Sequence, residues 1–142
     1  MNVRRFLDTN ILVYAYDLNA PAKRAVALGL VERGWTVPGE AAISVQVLQE
    51  LHVNLVKRGV SQTEATRIVR DFADWPVVDN TLKLLQAALS EQARWKISLW
   101  DSTILAAARF SGASQLITED LNHGQDYGGV TVLNPFLAGS IL

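Results

Sequence analysis

The chain has 142 residues, 49% of them hydrophobic and 19% charged, with a formal net charge of −1. That length suits one domain of about 100–150 residues, and the composition supplies a core to bury, which excludes a disordered tail. The absence of cysteine excludes disulfides, thiolate metal sites and cysteine nucleophiles, while the near-neutral charge leaves the partner open.

Val3–Leu7 is short and apolar-biased and is expected to be a strand, followed by Asp8-Thr9-Asn10 and a helical turn or short helix over residues 10–16. Pro21 opens the next helix, where its missing N–H costs nothing, and Gly34 is expected to stop it. Ala41–Ser44 forms a brief buried strand, and Ser44 caps a helix carrying Val47, Leu48, Leu51, Leu55 and Val56 at helical spacing, ended by Gly59. Ser61 and Glu64 form a capping box for the following helix, with Ala65, Ile68, Val69 and Phe72 on its apolar stripe.

Pro76–Val78 is strand-like, and Asn80 is expected to cap a helix through Leu82, Leu85, Leu89 and Ala93. Trp100–Phe110 is helical up to Gly112, and Gln115–Thr118 and Val130–Leu133 are the last two strands. Strands alternating with long helices predict an α/β fold with a mostly parallel central sheet flanked by helices. No repeat or linker divides the chain, so a single domain over residues 1–142 is expected.

The opening stretch is apolar but broken by Asp8, Asn10 and Asp17, unlike a signal peptide. The uncharged runs Thr36–Gly39 and Ala41–Gln49 fall well short of a membrane span. A cytoplasmic protein without membrane contact is therefore expected. The mean hydropathy of +0.14 is high for so small a chain, which suits a surface that meets a partner.

Ligands of open parallel sheets sit at the carboxyl ends of the strands. Acids fall at those places: Asp8 after the first strand, Glu50 in the helix after the second, Asp101 opening its helix, and Glu119 and Asp120 after Gln115–Thr118. Taken singly, each has an ordinary reading as a turn, solvated or helix-terminal residue. Taken together, they repel one another unless a hard cation neutralises them. Mg²⁺ takes oxygen ligands from one or two carboxylates, waters and phosphate, and paired ions can clamp a phosphodiester.

Other polar and aromatic residues carry less. His52 and His123 are poorly placed for a zinc site. Trp35, Trp75, Trp95 and Trp100 each border an apolar segment and are expected in the core or on a partner surface rather than as base-stacking platforms. Arg4, Arg5, Lys57, Arg58, Arg67, Arg70 and Arg109 are candidates for a basic rim, each with an ordinary reading as a solvated charge.

The stretch Leu7-Asp8-Thr9-Asn10-Ile11-Leu12-Val13 resembles the opening motif of PIN domains, Rossmann-like metal-dependent nucleases. The run Ser44–Leu51 (SVQVLQEL), Trp100-Asp101-Ser102 with its apolar continuation, and Leu116–Asp120 (LITED) resemble their later acidic segments, and Asn134-Pro135-Phe136 resembles their usual ending. This order spans nearly the whole chain. The resemblance implies a three-layer PIN-like sandwich and Mg²⁺- or Mn²⁺-dependent hydrolysis of RNA. It also implies that Asp8, Glu50 and Asp101 are the principal catalytic and metal-site acids, with Asp120 completing the set; Glu119, beside it, competes for the fourth position. Thr9 or Thr118 would be a supporting hydroxyl.

A chain of this length looks most like VapC toxins of type II toxin–antitoxin pairs, which implies a small antitoxin partner and a homodimer. The alternatives are a PIN nuclease with a non-toxin role in RNA processing and a catalytically silent binding module of the same fold. A haloacid-dehalogenase-like phosphatase would want a second acid where Asn10 stands, and a receiver would want paired acids and a late lysine that the chain does not offer.

Overall fold

The computed structural model describes residues 3–137. Its strands are β1 (Arg5–Leu7), β2 (Ala41–Ser44), β3 (Val77–Val78), β4 (Gln115–Ile117) and β5 (Thr131–Leu133). The helices are α1 (Thr9–Tyr14), α2 (Pro21–Thr36), α3 (Val45–Lys57), α4 (Gln62–Phe72), α5 (Leu82–Trp95) and α6 (Leu99–Phe110). The strands form one sheet in the order β3-β2-β1-β4-β5, and every neighbouring pair is parallel. Helices flank it to give a three-layer α/β sandwich. The strands are short apolar runs, as expected where both faces of a sheet are covered; Phe6, Ala42, Ile43, Leu116, Ile117 and Val132 are fully enclosed.

Chain order reverses direction across the sheet at β1, which has β2 on one side and β4 on the other. The crevice outside the carboxyl ends of strands flanking such a switch point is where open α/β sheets bind ligands. Asp8 directly follows β1, and Asp120 lies three residues beyond the end of β4.

Several local expectations change in the structure. Gly34 does not stop α2, which runs on to Thr36. Its lack of a side chain serves a close approach instead, because a Cβ there would sit 2.4 Å from the Trp75 ring. Trp75 packs edge-on against Trp35 and Phe72, which joins α2 and α4. Thr81, not Asn80, caps α5 by accepting from the Leu84 N–H at 3.1 Å, whereas Asn80 donates to Gln49 Oε1. Ser61 accepts from Glu64 N at 3.1 Å as expected, but the Glu64 side chain pairs with Arg67, so the reciprocal half of the capping box is absent. Among the described residues no helix is long and apolar enough to cross a membrane.

Candidate active site

Four separate elements bring the acids together. Asp8 is the N-cap of α1, and its Oδ1 accepts from the Thr9 N–H at 2.7 Å. Glu50 sits in the second turn of α3, whose start is fixed by Ser44 accepting from Val47 N. Asp101 lies in the first turn of α6, and its N–H donates to the N-cap Ser98 at 3.0 Å. Asp120 follows β4, where its N–H donates to Thr118 Oγ1 at 3.0 Å. All four line one cavity of about 180 Å³, together with Asn10 and Gln46.

A polar lattice orients these carboxylates. The buried Thr118 hydroxyl donates to Asp8 Oδ2 at 2.8 Å, and the Thr9 hydroxyl donates to Glu50 Oε1 at 2.8 Å. The Asn10 amide spans the site, with Nδ2 3.1 Å from Asp120 Oδ2 and 3.3 Å from Thr118 Oγ1. Both threonines expected as supporting hydroxyls therefore contact acids, and Asn10 joins them as a tie that the sequence did not single out. Its signal was present, because an amide two residues past a strand-end acid shares that acid's rim.

Burial makes the cluster electrostatically unusual. Asp8 is 5% exposed, and desolvation pushes its carboxyl up from the ordinary 3.8 to about 7 despite the hydrogen bonds from Thr118 and Thr9, with the charges of Asp120 and Glu50 adding to the rise. Desolvation likewise holds the Asp101 carboxyl above its ordinary range, against a hydrogen bond with Ser98 and helped by Asp120 and Glu50.

The donor set fits a hard divalent cation. Every acidic ligand is an oxygen donor, and two further amide oxygens at the cavity, Asn10 Oδ1 and Gln46 Oε1, are buried without a hydrogen-bond partner. Among the described residues no three acidic or histidine side chains converge tightly enough to enclose an ion unaided.

Glu119 and Asp120 face different ways. Asp120 lines the acid cavity, whereas Glu119 accepts from Tyr14 OH at 2.9 Å and from Lys23 Nζ at 3.0 Å, at a separate neighbouring cavity. The histidines stay outside the acid cavity. His52 contacts Thr66 across α3 and α4, and His123 Nδ1 accepts from the Asn134 N–H at 2.9 Å.

Several candidate rim arginines are tied up elsewhere. Arg5 is buried at the amino edge of β1, where it pairs with Glu40 at 3.0 Å, and Arg4 also reaches that glutamate. Arg109 binds Glu91 and the Tyr127 and Gly128 carbonyls, and Arg67 lies between Glu64 and Asp71. Arg58, paired with Asp17 at 2.9 Å, lines the neighbouring Glu119 cavity. It continues a helical stripe of α3 at four-residue spacing: Gln46, Glu50, Asn54, Arg58.

The profile of the PIN domain family matches residues 5–125. Ribonuclease VapC24 of Mycobacterium tuberculosis is 28% identical over 141 residues, which span 91% of this chain and 94% of that protein. A toxin–antitoxin complex from Klebsiella pneumoniae superposes with a TM-score of 0.66 at 24% identity, covering 92% of this chain and 97% of the other. Mycobacterium tuberculosis VapC20, described as a sarcin-ricin loop cleaving toxin, superposes with a TM-score of 0.60 at 23% identity, covering 79% and 86%. The two structural likenesses establish a shared fold.

Proposed function

Because the chain belongs to the PIN domain family, we propose that it is a divalent-metal-dependent endoribonuclease and the toxin of a toxin–antitoxin pair. The observation that carries this reading is the convergence of Asp8, Glu50, Asp101 and Asp120, from four separate elements, on one cavity at the carboxyl edge of the sheet. The ribonuclease relative supports RNA as the substrate, and the likeness to a toxin–antitoxin complex supports a small antitoxin partner. A homodimer and a cytoplasmic location complete the reading.

In this reading Asp8, Glu50, Asp101 and Asp120 hold Mg²⁺ or Mn²⁺, which when bound offsets phosphate charge and makes water a competent nucleophile at neutral pH. The chain's own residues do the positioning. Thr118 and the Thr9 N–H fix both oxygens of Asp8, the Thr9 hydroxyl fixes Glu50, and Asn10 fixes Asp120. Carboxylates held in this way need little rearrangement as charge develops on the phosphate. In the hydrolysis a water oxygen bonds to phosphorus and the P–O3′ bond breaks. One water proton passes to the departing 3′ oxygen, leaving a 5′-phosphate and a 3′-hydroxyl.

The test is incubation of partner-free protein with purified tRNA and total RNA in Mg²⁺ or Mn²⁺, then with EDTA, beside Asp8→Asn. Cleavage that requires metal and is lost in the variant is expected. Equal behaviour of wild type and Asp8→Asn would overturn the catalytic reading.

A further inference from the structure

A second cavity of about 200 Å³ adjoins the acid cavity and shares two walls with it, Gln46 and Trp100. Its floor is apolar, from Leu84, Leu85 and Leu99, and its rim carries the Gln49 and Asn80 carboxamides. Trp100 is 68% exposed at the start of α6, immediately before Asp101. Its indole therefore lies open at the boundary between an apolar slot and the acids. Of the tryptophans expected in the core or on a partner surface, Trp75 is buried, while Trp100 lies open to a partner.

Gln46 is 8% exposed and leans on the acids, its Nε2 lying 3.5 Å from Glu50 Oε1, so it forms the wall between the slot and the acid cavity. The carboxamide pair on the rim, joined by Asn80 Nδ2 donating to Gln49 Oε1 at 3.3 Å, presents donors and acceptors to whatever enters. A flat π-face beside rim carboxamides matches the chemistry that reads a splayed-out nucleobase, stacked on an aromatic ring and hydrogen-bonded along its edge.

We propose that this slot is a nucleobase subsite: a base next to the scissile phosphate of single-stranded RNA stacks on Trp100, with the Gln49 and Asn80 carboxamides at its edge. The assignment rests on the nuclease reading and deepens it, since it adds a determinant of where RNA is cut. The shared wall explains how a base in the slot and a phosphate among the acids can belong to one strand. A residue buried in the core could not do this; Trp100 can because the N-terminal turn of α6 places it at the rim and Asp101 inside.

The experiment compares wild type, Trp100→Ala and Trp100→Phe on a short single-stranded RNA spanning a mapped cut, and on versions abasic at one nucleotide beside the cut. Stacking on an aromatic side chain is worth roughly ten- to a hundredfold per base. One abasic position is expected to lower wild-type kcat/KM on that scale. Trp100→Ala is expected to lose as much on the intact RNA and no more on the abasic one, while Trp100→Phe retains most of the activity. Circular dichroism and the urea midpoint check that the exposed substitution leaves the fold intact.

If Trp100→Ala cleaves intact RNA like wild type, or keeps the full abasic penalty, the subsite is overturned. It is equally overturned if Trp100→Ala changes only the oligomeric state on gel filtration, which assigns the indole to a protein contact. Should wild type cleave no RNA at all, the nuclease reading fails by itself, and the subsite is judged on binding. Single-stranded RNA, added with Mg²⁺ present, should then quench the part of the fluorescence that Trp100→Phe lacks, and absence of that quenching would overturn the proposal.

Discussion

Replacing Asp8 by Asn removes a charge that burial opposes, so the metal-free protein should become more stable at neutral and alkaline pH. The folded-state carboxyl titrates at about 7 against 3.8 when exposed. The folded state therefore holds its proton over a range where the unfolded chain has released it, and wild-type stability falls as pH rises from about 4 to about 7. The full displacement corresponds to roughly 4 kcal/mol by linkage. The substitution also has a cost. The carboxamide oxygen can still accept from the Thr9 N–H, but the new NH₂ faces Thr118 Oγ1, which already receives Asp120 N at 3.0 Å and Asn10 Nδ2 at 3.3 Å. A misfitted buried hydrogen bond costs about 1–2 kcal/mol. Asp8→Asn should thus gain roughly 2–3 kcal/mol near pH 8 in EDTA and lose about 1–2 kcal/mol near pH 4. Urea denaturation of both proteins across that range reads the difference directly. Added Mg²⁺ should stabilise wild type at pH 8 by mass action and leave the variant unmoved. A stability difference independent of pH, or a variant less stable than wild type at pH 8, would mean that burial of this charge does not govern the stability of the site.

Three further substitutions test the scaffold. Gly34→Ala drives a methyl into the Trp75 ring and should lower stability by about 1–3 kcal/mol through overpacking, measured by the urea midpoint. Ser98→Ala removes the N-cap of α6 and should cost about 0.5–2 kcal/mol; it should slow RNA cleavage as well, because the same turn carries Asp101. Thr118→Val strips the buried hydroxyl that donates to Asp8 and accepts from the Asp120 N–H. It should cost about 1–3 kcal/mol in the folded protein and raise the Mg²⁺ concentration at which cleavage is half-maximal.

The sheet and the positions of the four acids were legible because both depend on local pattern. Asp8 ends an apolar strand, Ser44 caps α3 three residues before the N–H it accepts from, and apolar residues in α3 and α4 recur at helical spacing. The departures arise from partners remote in sequence. Gly34 is explained by Trp75, on the far side of β2, α3 and α4, so it read as a helix stop. Arg5 and Arg109 looked available for RNA until Glu40 and Glu91 folded against them. Glu119 and Asp120 are neighbours in the chain, and only the reach of Lys23 and Tyr14 from one side and Asn10 from the other separates their directions. The sequence left Trp100 between core and partner surface, because its exposure depends on where α6 begins relative to the rim of the sheet.

Catalysis by the acid cavity is probed most sharply by single-turnover cleavage of one RNA in Mg²⁺ by Asp8→Asn, Glu50→Gln, Asp101→Asn and Asp120→Asn, with Glu119→Gln as the control that lies outside the cavity. Each of the first four should fall by at least roughly tenfold, the scale on which groups around a metal site matter, while Glu119→Gln cleaves at close to the wild-type rate. Cleavage retained by any of the four, or lost equally in Glu119→Gln, would contradict the assignment of catalysis to this cavity.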